Sequence, residues 1–192
     1  MARPNYYQIL EGLSKKVAEA VSLACRCGRE YTENNRKDLL KLRGDCDKML
    51  CELEDDLFCD FIPPIQRDNV AALAHSFCRI VNRAVEHEFT ASARGQASVP
   101  SEEEKLCIEL SKKLSANTAM LRRIRDPQTT PSLAEFRSLL RKASDAHNGY
   151  IGKINSGSLP RSCALRAFSA ARLRLEISRS FDELVEVMLG NI

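Results

Sequence analysis

Residues 39–87 read LLKLRGDCDKMLCELEDDLFCDFIPPIQRDNVAALAHSFCRIVNRAVEH. Before the two prolines, Leu39, Leu42, Cys46, Met49, Leu50, Leu53 and Leu57 recur at helical spacing. After them, Val70, Leu73, Phe77, Ile80, Val81 and Ala84 do the same. Pro63 and Pro64 lack backbone donors, fix φ and disfavour α geometry in the residue before each. The stretch is therefore a helix, a corner and a helix, with Asp68 or Asn69 available to cap the second.

Working outward, the first helix is expected from Asn5 to about Tyr31, on the stripe Tyr6, Ile9, Leu10, Leu13, Val17, Ala20, Val21 and Ala24. Thr32–Asn35 reads as a turn, the second helix as Arg36 to Cys59, and the third as Asp68 to about Ala93. Residues 94–100, RGQASVP, form the clearest break, between halves 1–95 and 96–192. Ser101 and Glu104 then make a capping box for a fourth helix through Leu106, Leu110, Leu114, Met120 or Leu121, and Ile124. Asp126-Pro127 ends it. Thr130 and Pro131 open the fifth as N-cap and N1, with a stripe through Phe136, Leu140, Ala143, His147 and Ile154. Gly157 ends the fifth, and Pro160 starts a sixth carrying Leu165, Phe168, Arg172, Leu175, Ile177, Leu184 and Val187. No segment alternates with period two. The expected fold is all-α: six antiparallel helices as two pseudo-repeated three-helix bundles.

The corner carries a resemblance. Phe61-Ile62-Pro63-Pro64-Ile65-Gln66-Arg67-Asp68-Asn69-Val70 resembles the helix corner of the PhoU-like phosphate transport regulators, usually F-x-P-P/T-I-D-R-E-D-I. The apolar spacing on both sides agrees over nearly the whole chain. The resemblance implies two related three-helix halves and a non-enzymatic accessory protein of phosphate transport that docks to a membrane phosphate transporter. Relatives carry E-x-x-x-D on the second and fifth helices and D-x-x-x-D or D-D-x-x-D on the third and sixth. Such carboxylates share a helix face and can hold cations. Placed on that pattern, this chain has Arg43 and Asp47 on the second helix, and Cys78, Arg79 and Asn82 on the third. It has Arg141 and Asp145 on the fifth, and Glu176 and Ser180 on the sixth. The family metal positions are degenerate, so no metal is expected. Arg43 with Asp47 and Arg141 with Asp145 are read either as buried ion pairs replacing the metal or as ordinary exposed pairs.

Composition narrows the remaining classes. Across 192 residues, 44% hydrophobic and 29% charged content suits a folded core. A net charge of +3, no Trp and 6% aromatics argue against a nucleic-acid partner. No apolar run approaches a membrane span, and Met1–Asn5 lacks a signal pattern, so a cytoplasmic protein is expected, peripheral at the inner face of the membrane if it docks there. Eight cysteines without a secretory context read as small hydrophobes at helix interfaces, with a redox or soft-metal site as the alternative. His75, His87 and His147 form no ligand spacing and read as satisfied or exposed side chains. Gly149-Tyr150-Ile151-Gly152 lacks the strand context of a phosphate loop. No nucleophile motif or cofactor fingerprint is present, so no enzyme and no cofactor are expected. Residues 52–60 are acidic, whereas 137–179 hold nine Lys/Arg against Asp145 and Glu176. Arg161, Arg166, Arg172 and Arg174 are the expected partner-docking side chains, for anionic lipid or an acidic loop. The other readings are a helical scaffold or dimerisation module no longer tied to phosphate, with homo-oligomers among its possible states, and a metal-binding carboxylate bundle.

Overall fold

The computed structural model describes residues 6–26, 33–59, 67–92, 101–123 and 133–189. The described chain is six helices: α1 (Tyr6–Arg26), α2 (Glu33–Cys59), α3 (Arg67–Ser92), α4 (Glu102–Ala119), α5 (Leu133–Asn155) and α6 (Cys163–Leu189). A 3-10 turn, Met120–Arg123, continues α4. No strand occurs among the described residues.

The apolar stripes dictate the assembly. α1, α3, α4 and α6 form a central four-helix layer, with α1 against α4 and α3 against α6 across the two halves. α2 covers the α1–α3 side and α5 the α4–α6 side. Both halves feed one continuous core, in which Leu39, Leu53, Leu73, Phe77, Leu110 and Ile177 are fully buried. Phe136 of α5 stacks on Phe181 of α6, with ring centroids 3.6 Å apart.

α1 and α4 show the internal repeat most directly. Leu10, Leu13, Ser14 and Val17 of α1 line up with Cys107, Leu110, Ser111 and Leu114 of α4, and all are buried. Lys16 pairs with Asp45 across α1–α2, as Lys113 pairs with Glu135 across α4–α5. The two helices touch through Ser14 and Ser115, whose hydroxyls lie 3.1 Å apart. Small side chains there let the backbones approach.

Several details of the sequence reading change. α2 starts at Glu33, so the expected turn is already helical there. Asp68 lies inside the first turn of α3 rather than capping it; an acid there still complements the helix dipole. Leu165, Phe168, Arg172 and Leu175, read as the apolar stripe of the sixth helix, are exposed. Ile177, Leu184 and Val187 of the same reading are buried, and Ala167, Ala170, Leu173 and Phe181 complete the inner face of α6. The Pro63-Pro64 corner, the 94–100 break and the Asp126-Pro127 and Thr130-Pro131 signals lie outside the described residues. Gly157 does end α5, at φ 79° with its N–H on the Ile154 carbonyl. That left-handed geometry favours glycine.

Candidate functional site

The start of α4 is both a cap and a buried charge centre. Ser101 Oγ accepts from the Glu104 N–H, and Glu104 Oε2 accepts from the Ser101 N–H at 2.6 Å, completing the capping box. The same carboxylate is wholly enclosed. Arg166 of α6 reaches it with two donors, Nε to Oε1 at 2.7 Å and a terminal nitrogen to Oε2 at 2.9 Å. This fork is the strongest geometry available to an arginine and a carboxylate. His87 of α3, itself fully buried, places Nε2 2.9 Å from Glu104 Oε1 and Nδ1 3.2 Å from Ser169 Oγ. A neutral imidazole with its proton on Nε2 satisfies both contacts.

Glu103 repeats the arrangement one residue earlier. Its Oε1 accepts from Arg174 Nε at 3.0 Å, and its Oε2 lies 2.9 Å from His147 Nδ1 of α5. Arg174 also donates to Ser144 Oγ of α5. Each of the two carboxylates is thus matched by one guanidinium and contacted by one imidazole. Burial alone would raise the Glu104 pKa, but the hydrogen bonds from His87 and Arg166 outweigh it and hold the carboxyl down at about 2. The Arg166 pKa is raised: burial opposes its charge, and the Glu104 hydrogen bond and charge more than compensate. The cluster thus ties α3, α4, α5 and α6 together.

The sequence places other residues differently from expectation. Arg166 and Arg174, expected on a docking face, point inward with side chains only 11% and 18% exposed. They are drawn in because Glu103 and Glu104 would otherwise be buried alone. Arg161 and Arg172 are exposed. Arg43, Asp47, Arg141 and Asp145 all lie on exposed faces, and neither Arg–Asp pair is joined within ion-pair distance. Arginine N-terminal to the acid is the weaker helical orientation, so solvent outcompetes the pair. Of the two readings of these residues, buried or exposed, their placement is the exposed one, and buried ion pairs occur on α4.

At the family's metal positions on the third and sixth helices, cations face Glu176. Arg79 Nε lies 3.5 Å from Glu176 Oε2, and Arg83 Nε and Arg179 lie 3.9 and 3.4 Å from Oε1. Arg79 also donates to Glu183 at 3.0 Å. The 3.5 Å approach is an ion pair without hydrogen-bond alignment, and Glu176 Oε2 and the nearby Ser180 Oγ have no hydrogen-bond partner. A donor set of one buried carboxylate ringed by guanidiniums does not fit a divalent cation. Among the described residues, no group of three or more His, Cys, Asp or Glu is placed to hold a metal.

Among the described residues, no cysteine forms a disulfide bond. Burial pushes Cys46 up to about 11 and Cys78 up to about 12, and raises Cys107 as well. Cys78 Sγ points at the Cys46 carbonyl and Cys107 Sγ at the Ala170 carbonyl. These three are packing residues held as thiols. Cys51 and Cys59 are exposed.

The chain has full-length structural counterparts. It is similar to a PhoU-like protein from Shewanella oneidensis MR-1, with a TM-score of 0.76 and 14% identity, covering 96% of this chain and 99% of that one. A second solved structure, described as a PhoU-like phosphate regulatory protein from the same organism, gives a TM-score of 0.79 at 14% identity, covering 98% and 100%. The fold is PhoU-like. No protein-family model matches the sequence, and no curated protein does. At 14% identity the likeness is one of fold. Among the described residues, no helix is long and apolar enough to cross a membrane.

The sequence reading took Glu104 only as a capping residue and missed Glu103; it read His87 as a satisfied or exposed histidine, and His87 is buried with both nitrogens partnered, without its link to Glu104 being foreseen. A signal was available. Glu103 and Glu104 precede Cys107 by four and three residues and so continue the buried stripe of α4 backwards. Arg166, Ala170, Leu173 and Ile177 form a matching stripe on α6.

Proposed function

We propose that this chain is a divergent PhoU-like accessory protein that regulates inorganic phosphate transport by docking, without catalysis, to the cytoplasmic face of a membrane phosphate transporter. The observation that carries the reading is the PhoU-like fold, matched over 98% of this chain and all of a solved PhoU-like structure. The interior chemistry is consistent with a non-enzymatic role: each buried charge of the α4 cluster is held by an opposite one, leaving none poised to attack a substrate. With Arg166 and Arg174 turned inward, the docking surface is assigned to the exposed Arg137, Arg141, Lys142 and Lys153 of α5 and to Arg161. These basic side chains suit anionic headgroups or an acidic loop at a membrane surface.

The test is capture of the full chain's partners from cross-linked native membranes, with identification by mass. Recovery of a phosphate permease, lost when Arg137, Arg141 and Arg161 are changed to Glu, is the expected result. Recovery of soluble proteins alone would overturn the docking reading.

A further inference from the structure

Among the described residues, four of the seven exposed large hydrophobics lie on α6: Leu165, Phe168, Leu175 and Leu189. They are not scattered. Arg161, Leu165, Phe168, Arg172, Leu175 and Arg179 follow one another at alternating steps of four and three, and the series continues through Asp182, Glu186 and Leu189. All nine are exposed. This is a heptad seam on the outer face of a helix, opposite the face formed by Ala170, Leu173, Ile177 and Leu184. A single surface helix in water gains nothing from such a seam; a helix that meets another helix does.

The charges along the seam select the occupant. Its first part carries Arg161, Arg172 and Arg179, and its last part carries Asp182 and Glu186. A parallel second copy would set arginine on arginine and acid on acid. An antiparallel copy brings the basic part of each onto the acidic part of the other.

We infer that the outer face of α6 is a self-association surface, on which a second copy of this chain packs its own α6 antiparallel. With the seam residues 165, 172, 179 and 186 as one heptad position and 168, 175, 182 and 189 as the other, antiparallel packing sets each of the first against one of the second. The register that pairs Arg172 with Asp182 of the second copy also sets Leu165 on Leu189, Phe168 on Glu186 and the Leu175 side chain along the Arg179 stem. No like charges meet. The contact is isologous, since every pair recurs with the copies exchanged, and so it closes as a dimer rather than a filament. A seam confined to one helix is small for an interface, so the dimer is weak and forms at micromolar or higher concentration. This surface shares Arg161 with the docking side chains assigned above but none of those on α5, and the inference does not rest on that reading.

Sedimentation equilibrium of the full chain from about 1 to 500 μM tests it. The expected result is a monomer–dimer equilibrium that is weakened at least about tenfold by Arg172→Asp and by Asp182→Arg, about 1.4 kcal/mol each, with the double charge swap Arg172→Asp/Asp182→Arg restoring association. Both substitutions are on exposed positions, and far-UV circular dichroism verifies that the three variants remain folded. A chain that stays monomeric throughout overturns the inference. So does a dimer indifferent to both single reversals, or one that the swap fails to restore.

Discussion

The two halves solve one packing problem in opposite ways. At the start of α1, Tyr6 fills the interior with a ring and sends its hydroxyl out to the Asp56 carbonyl at 3.3 Å. At the corresponding place on α4, Glu103 and Glu104 fill it with charge, and Arg174, His147, Arg166 and His87 are gathered around them. The first solution fills the space with bulk, and the ring's hydroxyl reaches a backbone carbonyl. The second needs four elements in register. A half built on tyrosine therefore tolerates small polar changes, whereas a half built on buried carboxylates is sensitive to the loss of any partner. It also gains specificity, because only one arrangement of α3, α4, α5 and α6 satisfies every donor.

The sharpest way to break this contrast is Glu104→Ala. It strands Arg166 and His87 in the interior and removes the cap, so a loss of roughly 3–5 kcal/mol in urea unfolding is expected. Acid offers a milder version. The Glu104 pKa is about 2 in the folded chain against an ordinary 4.5, so its contribution is complete above pH 4.5 and is lost as the pH falls towards 2. The shift corresponds to roughly 3 kcal/mol, and Glu104→Gln removes this part of the acid dependence, as denaturation curves between pH 6 and 2 will report. Glu103→Gln is expected to cost less, roughly 1.5–3 kcal/mol, because Arg174 retains Ser144 and some solvent. Its counterpart Tyr6→Phe, which deletes one long hydrogen bond and leaves the ring, is expected to cost about 1 kcal/mol or less. Arg79→Ala, at a half-exposed ion pair, belongs at the bottom, within about 1 kcal/mol. An Arg79 effect as large as that of Glu104 would mean that α3–α6 charge, not the α4 cluster, organises the second half.

The helix plan was readable because apolar spacing is a local property. Leu39, Leu42 and Cys46 before the prolines and Val70, Leu73 and Phe77 after them are all buried as their period requires. The capping box at Ser101 was readable for the same reason. The charge cluster was not, since its partners stand 17, 62 and 71 residues apart, and an arginine gives no local sign of whether it faces solvent or a distant glutamate. The sixth helix shows the cost of that ambiguity. It carries two stripes at helical spacing, and the one through Leu165, Phe168 and Leu175 faces outward. The inner one begins with Arg166, which periodicity alone discards. The resemblance at the Pro63-Pro64 corner pointed to the right fold, but the residues transferred by it, Arg43, Asp47, Arg141 and Asp145, lie on exposed faces.

The central claim is that a fully buried, ionised Glu104 holds the second half together. Carbon-detected NMR titration of the glutamate side-chain carboxyls, with Glu104 assigned by its loss in Glu104→Gln, tests it directly. The arrangement described here predicts a Glu104 midpoint at about pH 2, or no titration before the chain unfolds. A midpoint at the ordinary carboxylate value of 4.5 in the folded protein would contradict it.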